Sequence, residues 1–249
     1  MTRLFIDIGN TNTSMAVTKG KRIVKRYFIS SAKKRIEPGS LKRLLGMKCR
    51  EIETVVIVSV VPKFCVIMQK SLGKILPHAK IRIVGKQIKV PMRIRYKDPR
   101  QVGQDRLVTA FSAYKKMNSA VLVIDFGTAV TFDFVNTDGA YEGGLIFPGL
   151  RLALNALTKN AALLPKTELK YTKGLIGRDT RESINKGTLL GYASVCDGVI
   201  RKFRNKFGED LKIAVTGGDA PLVAKNSRYI KKKNISPDLI FEGLCLLTA

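Results

Sequence analysis

Apolar runs and turn-forming clusters alternate along this chain, and one run-and-turn unit occurs twice. Residues 3–9 and 13–18 predict two strands around a tight turn, and "RIVKRYFI" (22–29) predicts a third. Short apolar runs bounded by Gly, Asn and Ser are strand signals. "GSLKRLLGM" (39–47) predicts a helix and "TVVIVSVV" (54–61) a β-branched strand stopped by Pro62. A second helix is expected over 63–75 and a short strand at "KIRIV" (80–84). The second half begins again with a strand pair at 121–126 and 129–135, then "AYEGGLIFPGL" (140–150), a strand ending in Pro-Gly. A long helix-rich section over roughly 150–206, the strand and exit turn "LKIAVTGGDA" (211–220) and a terminal helix from about Pro237 complete the pattern.

The repetition is residue by residue at its centre. "LFIDIGNTNTSMAV" (4–17) and "LVIDFGTAVTFDFV" (122–135) align at an offset of 118 (125 − 7). That offset pairs Asp7 with Asp125, Ile6 with Ile124, Gly9 with Gly127 and Thr13 with Thr131. The polar break "KKMNSA" (115–120) separates the copies. Strands grouped first and then alternating with helices indicate an α/β fold with mixed sheets. The expectation is two duplicated domains, 1–117 and 118–249, with a cleft between them.

Composition changes this picture in one respect. An apolar share of 45% and a charged share of 26% over 249 residues are those of a folded, soluble chain. No apolar run approaches the roughly 20 residues needed to span a bilayer. The first strand begins within about three residues of Met1, which leaves no room for a secretory signal. The four cysteines, Cys49, Cys65, Cys196 and Cys245, form no CxxC pair. Reduced thiols packed in the core of a cytoplasmic protein are expected. His78 follows Pro77 and reads as a surface turn residue.

The exception is charge: 45 Lys and Arg against 19 Asp and Glu give +26. No acidic residue lies between Glu53 and Asp98, where ten basic ones accumulate. Such a field favours anions, nucleic acid among them. The basic residues are spread over several elements, however, and no zinc finger, helix-turn-helix or aromatic-interleaved RNA motif accompanies them. Compositional bias that decorates any fold accounts for most of them.

In "DIGNTNT" a buried strand delivers a carboxylate to a turn. Gly9 allows the backbone to approach a ligand closely. Asn10, Thr11, Asn12 and Thr13 add hydrogen-bonding groups without bulk. A tip of this kind either cradles phosphate oxygens on its N–H groups or is an ordinary Asx-type hairpin. Asp7 suits Mg²⁺, directly or through water, because hard cations take oxygen ligands. "DFGTA" offers a second carboxylate and hydroxyl, and "VTGGDA" (215–220) leaves bare backbone for a base or ribose. GxxxxGK[ST], GxSxG and HExxH are absent, so P-loop chemistry is excluded.

Asp-x-Gly-Asn-Thr, Asp-Phe-Gly-Thr-Ala and the late Thr-Gly-Gly resemble the phosphate and adenosine motifs of the actin/sugar kinase/Hsp70 superfamily. More narrowly, the chain resembles the type III pantothenate kinases. "VSVVP" (58–62), "YKDPRQVGQDR" (96–106), "GGLIFPGL" (143–150) and "GRDT" (177–180) follow that family's order over essentially the whole chain. The resemblance implies duplicated ribonuclease H-like (actin-like ATPase) domains and transfer of the ATP γ-phosphoryl group to pantothenate, the first step of coenzyme A synthesis. It implies ATP binding by Asp7, Ile8, Gly9, Asn10, Thr11, Asn12, Thr13, Ser14 and Thr128, with Mg²⁺ at Asp7. It implies Asp105 as the catalytic residue and a pantothenate site formed by Tyr96, Gly103, Gln104, Asp105, Arg106 and Thr180. Asp125 is similar to the residue that holds a monovalent cation, potassium or ammonium, and the family works as a homodimer. Rival readings are a kinase of another small alcohol and a regulatory or nucleic-acid-binding relative.

Overall fold

The computed structural model describes residues 1–31 and 36–248. Two compact units emerge. One comprises Met1–Met92, Lys97–Ser112 and Leu239–Ala249; the other comprises Arg93–Tyr96 and Ala113–Asp238. The units are discontinuous in sequence, where the repeat suggests one division between residues 117 and 118.

The first unit is built on a five-stranded sheet in the order β3-β2-β1-β4-β5, formed by β1 (Thr2–Ile8), β2 (Asn12–Lys19), β3 (Arg22–Ser30), β4 (Ile52–Ser59) and β5 (Lys80–Ile83). β1 pairs antiparallel with β2 and parallel with β4, so the sheet is mixed. The inner strands β1 and β4 are apolar on both faces because both faces are covered. Leu4, Ile6 and Ile8 pack with Phe64, Met68 and Leu72 of α2 (Pro62–Ile75) and with Leu41 and Leu45 of α1 (Pro38–Leu45). Phe5, Val56 and Val58 turn the other way, against Val108 of α3 (Gln104–Met117) and against Phe241 and Leu244 of α7 (Leu239–Leu246). Strand alternation places Asp7 on this second face, at the end of β1.

The second unit carries a four-stranded mixed sheet, β8-β7-β6-β9, from β6 (Val121–Phe126), β7 (Ala129–Val135), β8 (Tyr141–Pro148) and β9 (Lys212–Thr216). β6 pairs antiparallel with β7 and parallel with β9, the pattern of the first sheet repeated. Leu122, Ile124 and Phe126 pack against Leu189, Ala193, Cys196 and Ile200 of the 28-residue α5 (Thr180–Phe207). α4 (Leu150–Asn160) precedes α5, and the four-residue α6 (Ala220–Val223) follows β9.

The section over 150–206 is helix-rich as expected, with α4 and α5 separated by residues 161–179, a strap of turns and irregular chain. Pro165, Gly174 and Gly177 interrupt it. Asp179 then caps α5, its side chain accepting from the Glu182 N–H at 2.8 Å, a Ser/Asp-x-x-Glu start written plainly in "DTRE". One correction concerns the repeat. Asp7 lies opposite Ser14, whereas Asp125 lies opposite Thr131. The second hairpin tip is one residue shorter, so the structural counterpart of Thr131 is Ser14 rather than Thr13.

All four cysteines are free and buried, as their scatter suggests. Burial, with the Asp197 carboxylate adding to it, pushes the Cys196 thiol up to about 12. Burial likewise raises Cys49, Cys65 and Cys245, so these thiols serve as packing groups rather than nucleophiles. His78 is exposed in the turn between α2 and β5.

Candidate active site

In the first unit the tip between β1 and β2 is closed by Gly9, whose N–H donates to the Asn12 carbonyl at 3.0 Å. A Cβ on Gly9 would stand 3.0 Å from that same oxygen, so even a methyl group crowds the turn. Asn10, Thr11 and Asn12 are exposed at the tip, and Asp7 and Ser14 are half-buried beside each other on one face. Ile8 and Thr13 point the opposite way and are fully buried. Ile8 joins the core, and the Thr13 hydroxyl shares a 2.8 Å hydrogen bond with Ser31. The Thr13 side chain, expected to face a ligand, is thus a correction: it turns into the interior, while Ser14, expected beside it, shares the face of Asp7, because successive strand residues face opposite sides.

Asp105 stands at the same end of this sheet. The chain leaving β4 is tied to β1 by the Val60 N–H, which donates to the Ile8 carbonyl at 3.1 Å. The Val60 side chain lies 3.5 Å from where a Cβ on Gly103 would be, directly before α3. Asp105 occupies the first turn of α3, its Oδ1 accepting from the Arg106 N–H at 2.8 Å. A Cβ on Gly103 would come within 2.5 Å of that carboxylate oxygen, so glycine there leaves Asp105 its position. Gln104 folds over Gly85 after β5, its side chain 2.9 Å from the place of a Gly85 Cβ. Upstream, Asp98 caps the turn Pro99–Gln101, accepting from the Arg100 N–H at 3.1 Å. The Arg100 guanidinium beside it holds its carboxyl below the usual range.

The second unit assembles a comparable end. Asp125 is half-buried near the end of β6, paired with Thr131 across the hairpin and with Thr216 of β9. Gly127 and Thr128 form the exposed tip. Two glycines, from the Pro-Gly and Thr-Gly-Gly stretches, close on it. The Gly149 N–H donates to the Thr128 carbonyl at 3.0 Å, and a Cβ there would lie 2.2 Å from Thr128 O and 2.6 Å from Gly127 O. Gly217 of the Thr-Gly-Gly turn takes φ +94°, and its Cβ would meet the Phe126 N at 2.4 Å. A Cβ on Gly218 would meet nothing within 4 Å, which leaves bare backbone open to a ligand. "FPGL" and "VTGG" signalled both positions, because glycine at a strand exit marks close backbone approach.

Tyr96 belongs to this unit. The Arg95 N–H donates to the Tyr141 carbonyl at 2.8 Å, and the Tyr96 ring lies 3.3 Å from where a Gly143 Cβ would be. Thr180 opens α5 and is exposed.

Residues 3–202 match the family model of type III pantothenate kinase. The chain belongs to the type III pantothenate kinase family. A member from Myxococcus xanthus is 38% identical over 98% of this chain and 96% of its own length. One from Persephonella marina is 37% identical over 89% of each. Solved structures below 25% identity place the fold among actin-like ATPases and sugar kinases. A Campylobacter jejuni protein described as a Baf family transcriptional activator has a TM-score of 0.60 at 17% identity, covering 98% of this chain and 96% of its own. An N-acetylglucosamine kinase from Porphyromonas gingivalis has 0.50 at 14%, covering 98% and 97%. The family's duplicated fold is the one expected from the two Asp-x-Gly hairpins.

Gly149→Ala is expected to push the 127–128 tip aside. An ångström of misplacement costs on the order of 100-fold, so the KM for nucleotide should rise at least about tenfold while circular dichroism stays native. An unchanged nucleotide KM would show that the 127–128 tip is not part of the site.

Proposed function

We propose that this kinase transfers the γ-phosphoryl group of ATP to the primary hydroxyl of pantothenate in the cytoplasm, the opening step of coenzyme A synthesis. One observation carries the reading: in a chain of this family, Asp105 is held at the same sheet end as the Asp7 tip. An acceptor hydroxyl and a polyphosphate thus find their protein groups together.

Phosphoryl transfer passes through a loose transition state, so positioning and charge neutralisation dominate. Asp105 accepts a hydrogen bond from the attacking hydroxyl and orients its oxygen toward the phosphorus, taking the proton as the new bond forms. Arg106 binds the pantothenate carboxylate with its guanidinium fork. Tyr96, Gly103, Gln104 and Thr180 shape the rest of the acceptor site, Gln104 through its backbone and its hold on Gly85. Asn10, Thr11, Asn12, Ser14 and Thr128 take phosphate oxygens, with Ile8, Gly9 and Thr13 contributing backbone.

The donor set suits the metals in kind. Among the described residues no group of three or more His, Cys, Asp and Glu could hold an ion. Mg²⁺ keeps several waters and needs only one or two carboxylates beside substrate phosphates. Asp7 would hold it, directly or through water, and Mg²⁺ would neutralise charge on the phosphates. Asp125, with Thr131 opposite, offers oxygen ligands for a potassium or ammonium ion.

A homodimer accords with exposed apolar side chains on the edge strand and on a helix of the second unit. Leu145, Ile146 and Phe147 on edge strand β8, with Leu152 and Leu157 on α4, are exposed. An apolar band along a sheet edge invites a second copy. No helix among the described residues is long and apolar enough to cross a membrane.

A coupled phosphorylation assay with and without pantothenate tests the reaction; turnover independent of pantothenate would sink it. Asp105→Asn should lower kcat by about 100- to 10,000-fold and leave ATP binding within about threefold. Replacing potassium with sodium should depress the rate, and an indifferent rate removes Asp125 as the cation ligand. Light scattering should give twice the chain mass for the native protein and the single-chain mass for Ile146→Asp.

A further inference from the structure

Lys186 is only 9% exposed, an uncommon place for an ammonium group. It lies on α5 among Ile184, Asn185 and Leu189, where an apolar side chain would pack at no electrostatic cost. Its charge is answered on two sides. The ammonium donates to the Ile176 carbonyl at 2.7 Å and pairs with Glu182 Oε1 at 2.6 Å, one helical turn earlier. The other oxygen of Glu182 accepts from the Arg178 N–H at 2.9 Å, while the Glu182 N–H donates to the Asp179 cap at 2.8 Å. Hydrogen bonds from Lys186 and the Arg178 N–H hold the Glu182 carboxyl below its ordinary range, so the carboxylate stays charged near neutrality. Residues 176–179 are thereby tied to the first two turns of α5. Gly177 lies so close that a Cβ on it would sit 2.4 Å from the Ser183 N.

Apolar burial does not explain the attachment. Leu175 and Ile176 are 71% and 75% exposed. Beneath the loop, Thr172, Gly174 and Leu175 face Lys186, Leu189 and Leu190 across a pocket of about 180 Å³. Loosely packed chain with exposed apolar side chains is held in one course by the polar tie. The residue that follows the tied segment is Thr180.

We propose that Lys186 is a positioning residue for the acceptor: it fixes residues 176–179 against α5 and so sets the orientation in which Thr180 meets pantothenate. The inference rests on the assignment of Thr180 to the pantothenate site. It extends that assignment to a side chain that touches neither substrate.

The test compares Lys186→Met, which removes the charge at similar length, with Lys186→Arg and with Thr180→Val in the full chain. Lys186→Met should raise the KM for pantothenate about tenfold, with kcat and the KM for ATP within about twofold of native. Amide hydrogen exchange at residues 176–180 should quicken in the same sample, and Lys186→Arg should restore both. The double variant Lys186→Met/Glu182→Gln removes the unpaired carboxylate, should fold if the single variant does not, and should show the same KM split. An unchanged pantothenate KM in the Lys186 variants beside a raised one in Thr180→Val overturns the clamp and leaves Thr180 in place. An equal loss in both KM values, or in kcat alone, also overturns it, since a merely structural lysine would act that way. An unchanged KM in Thr180→Val removes the assignment itself, and the proposed role of Lys186 falls with it.

Discussion

A strand covered on both faces can present a carboxylate only where it ends, and this constraint organises both units. β1 is sandwiched between the α1–α2 and α3–α7 layers, so every side chain from Leu4 to Ile6 is buried. Ionised carboxylates do not sit in such interiors without partners. Asp7 is therefore half-buried at the strand's exit, and Asp125 at the end of β6 obeys the same rule. The parallel neighbours β4 and β9 bring their own exits alongside, and with them the Val60 contact with Gly103 and the Gly217–Gly218 turn. In open α/β sheets this carboxyl end is where ligands bind.

Most of the fold was legible because strand burial writes long β-branched runs and turns write Gly, Asn and Pro. The duplicated Asp-x-Gly hairpins were readable for that reason, as was the Asp7–Asp125 correspondence. The orientation of Thr13 was not. It depends on one residue more or less in a hairpin tip, and a period of two converts that single residue into a change of face. The strap over 161–179 was masked by the Leu- and Ala-rich stretch before it, although Pro165, Gly174 and the Asp179–Glu182 start were present. The affiliation of α7 with the first unit arises from contacts such as Gly243 against Val108, which no local pattern encodes.

The charge of +26 is carried as the sequence suggests. Lys63, Lys70 and Lys74 lie exposed on α2, Lys80 and Arg82 on β5, Lys86 and Lys89 on the turn beyond. They are spread over several elements instead of forming one arm or helix face. Substrates with a carboxylate and a triphosphate enter such a field favourably at long range. Lys186 is the contrasting case, a buried cation with specific partners, and its surroundings rather than its charge distinguish it.

The contacts at Gly149 and Gly217 have a consequence for how this protein can vary. Both glycines press backbone against backbone beside the tip between β6 and β7, 2.2 Å from Thr128 O and 2.4 Å from Phe126 N at the point where a side chain would begin. No rotamer relieves such an overlap, since neither partner has a torsion to turn. Sequence change beside these turns must therefore run through neighbouring side chains, while the two glycine contacts stay as a fixed backbone frame.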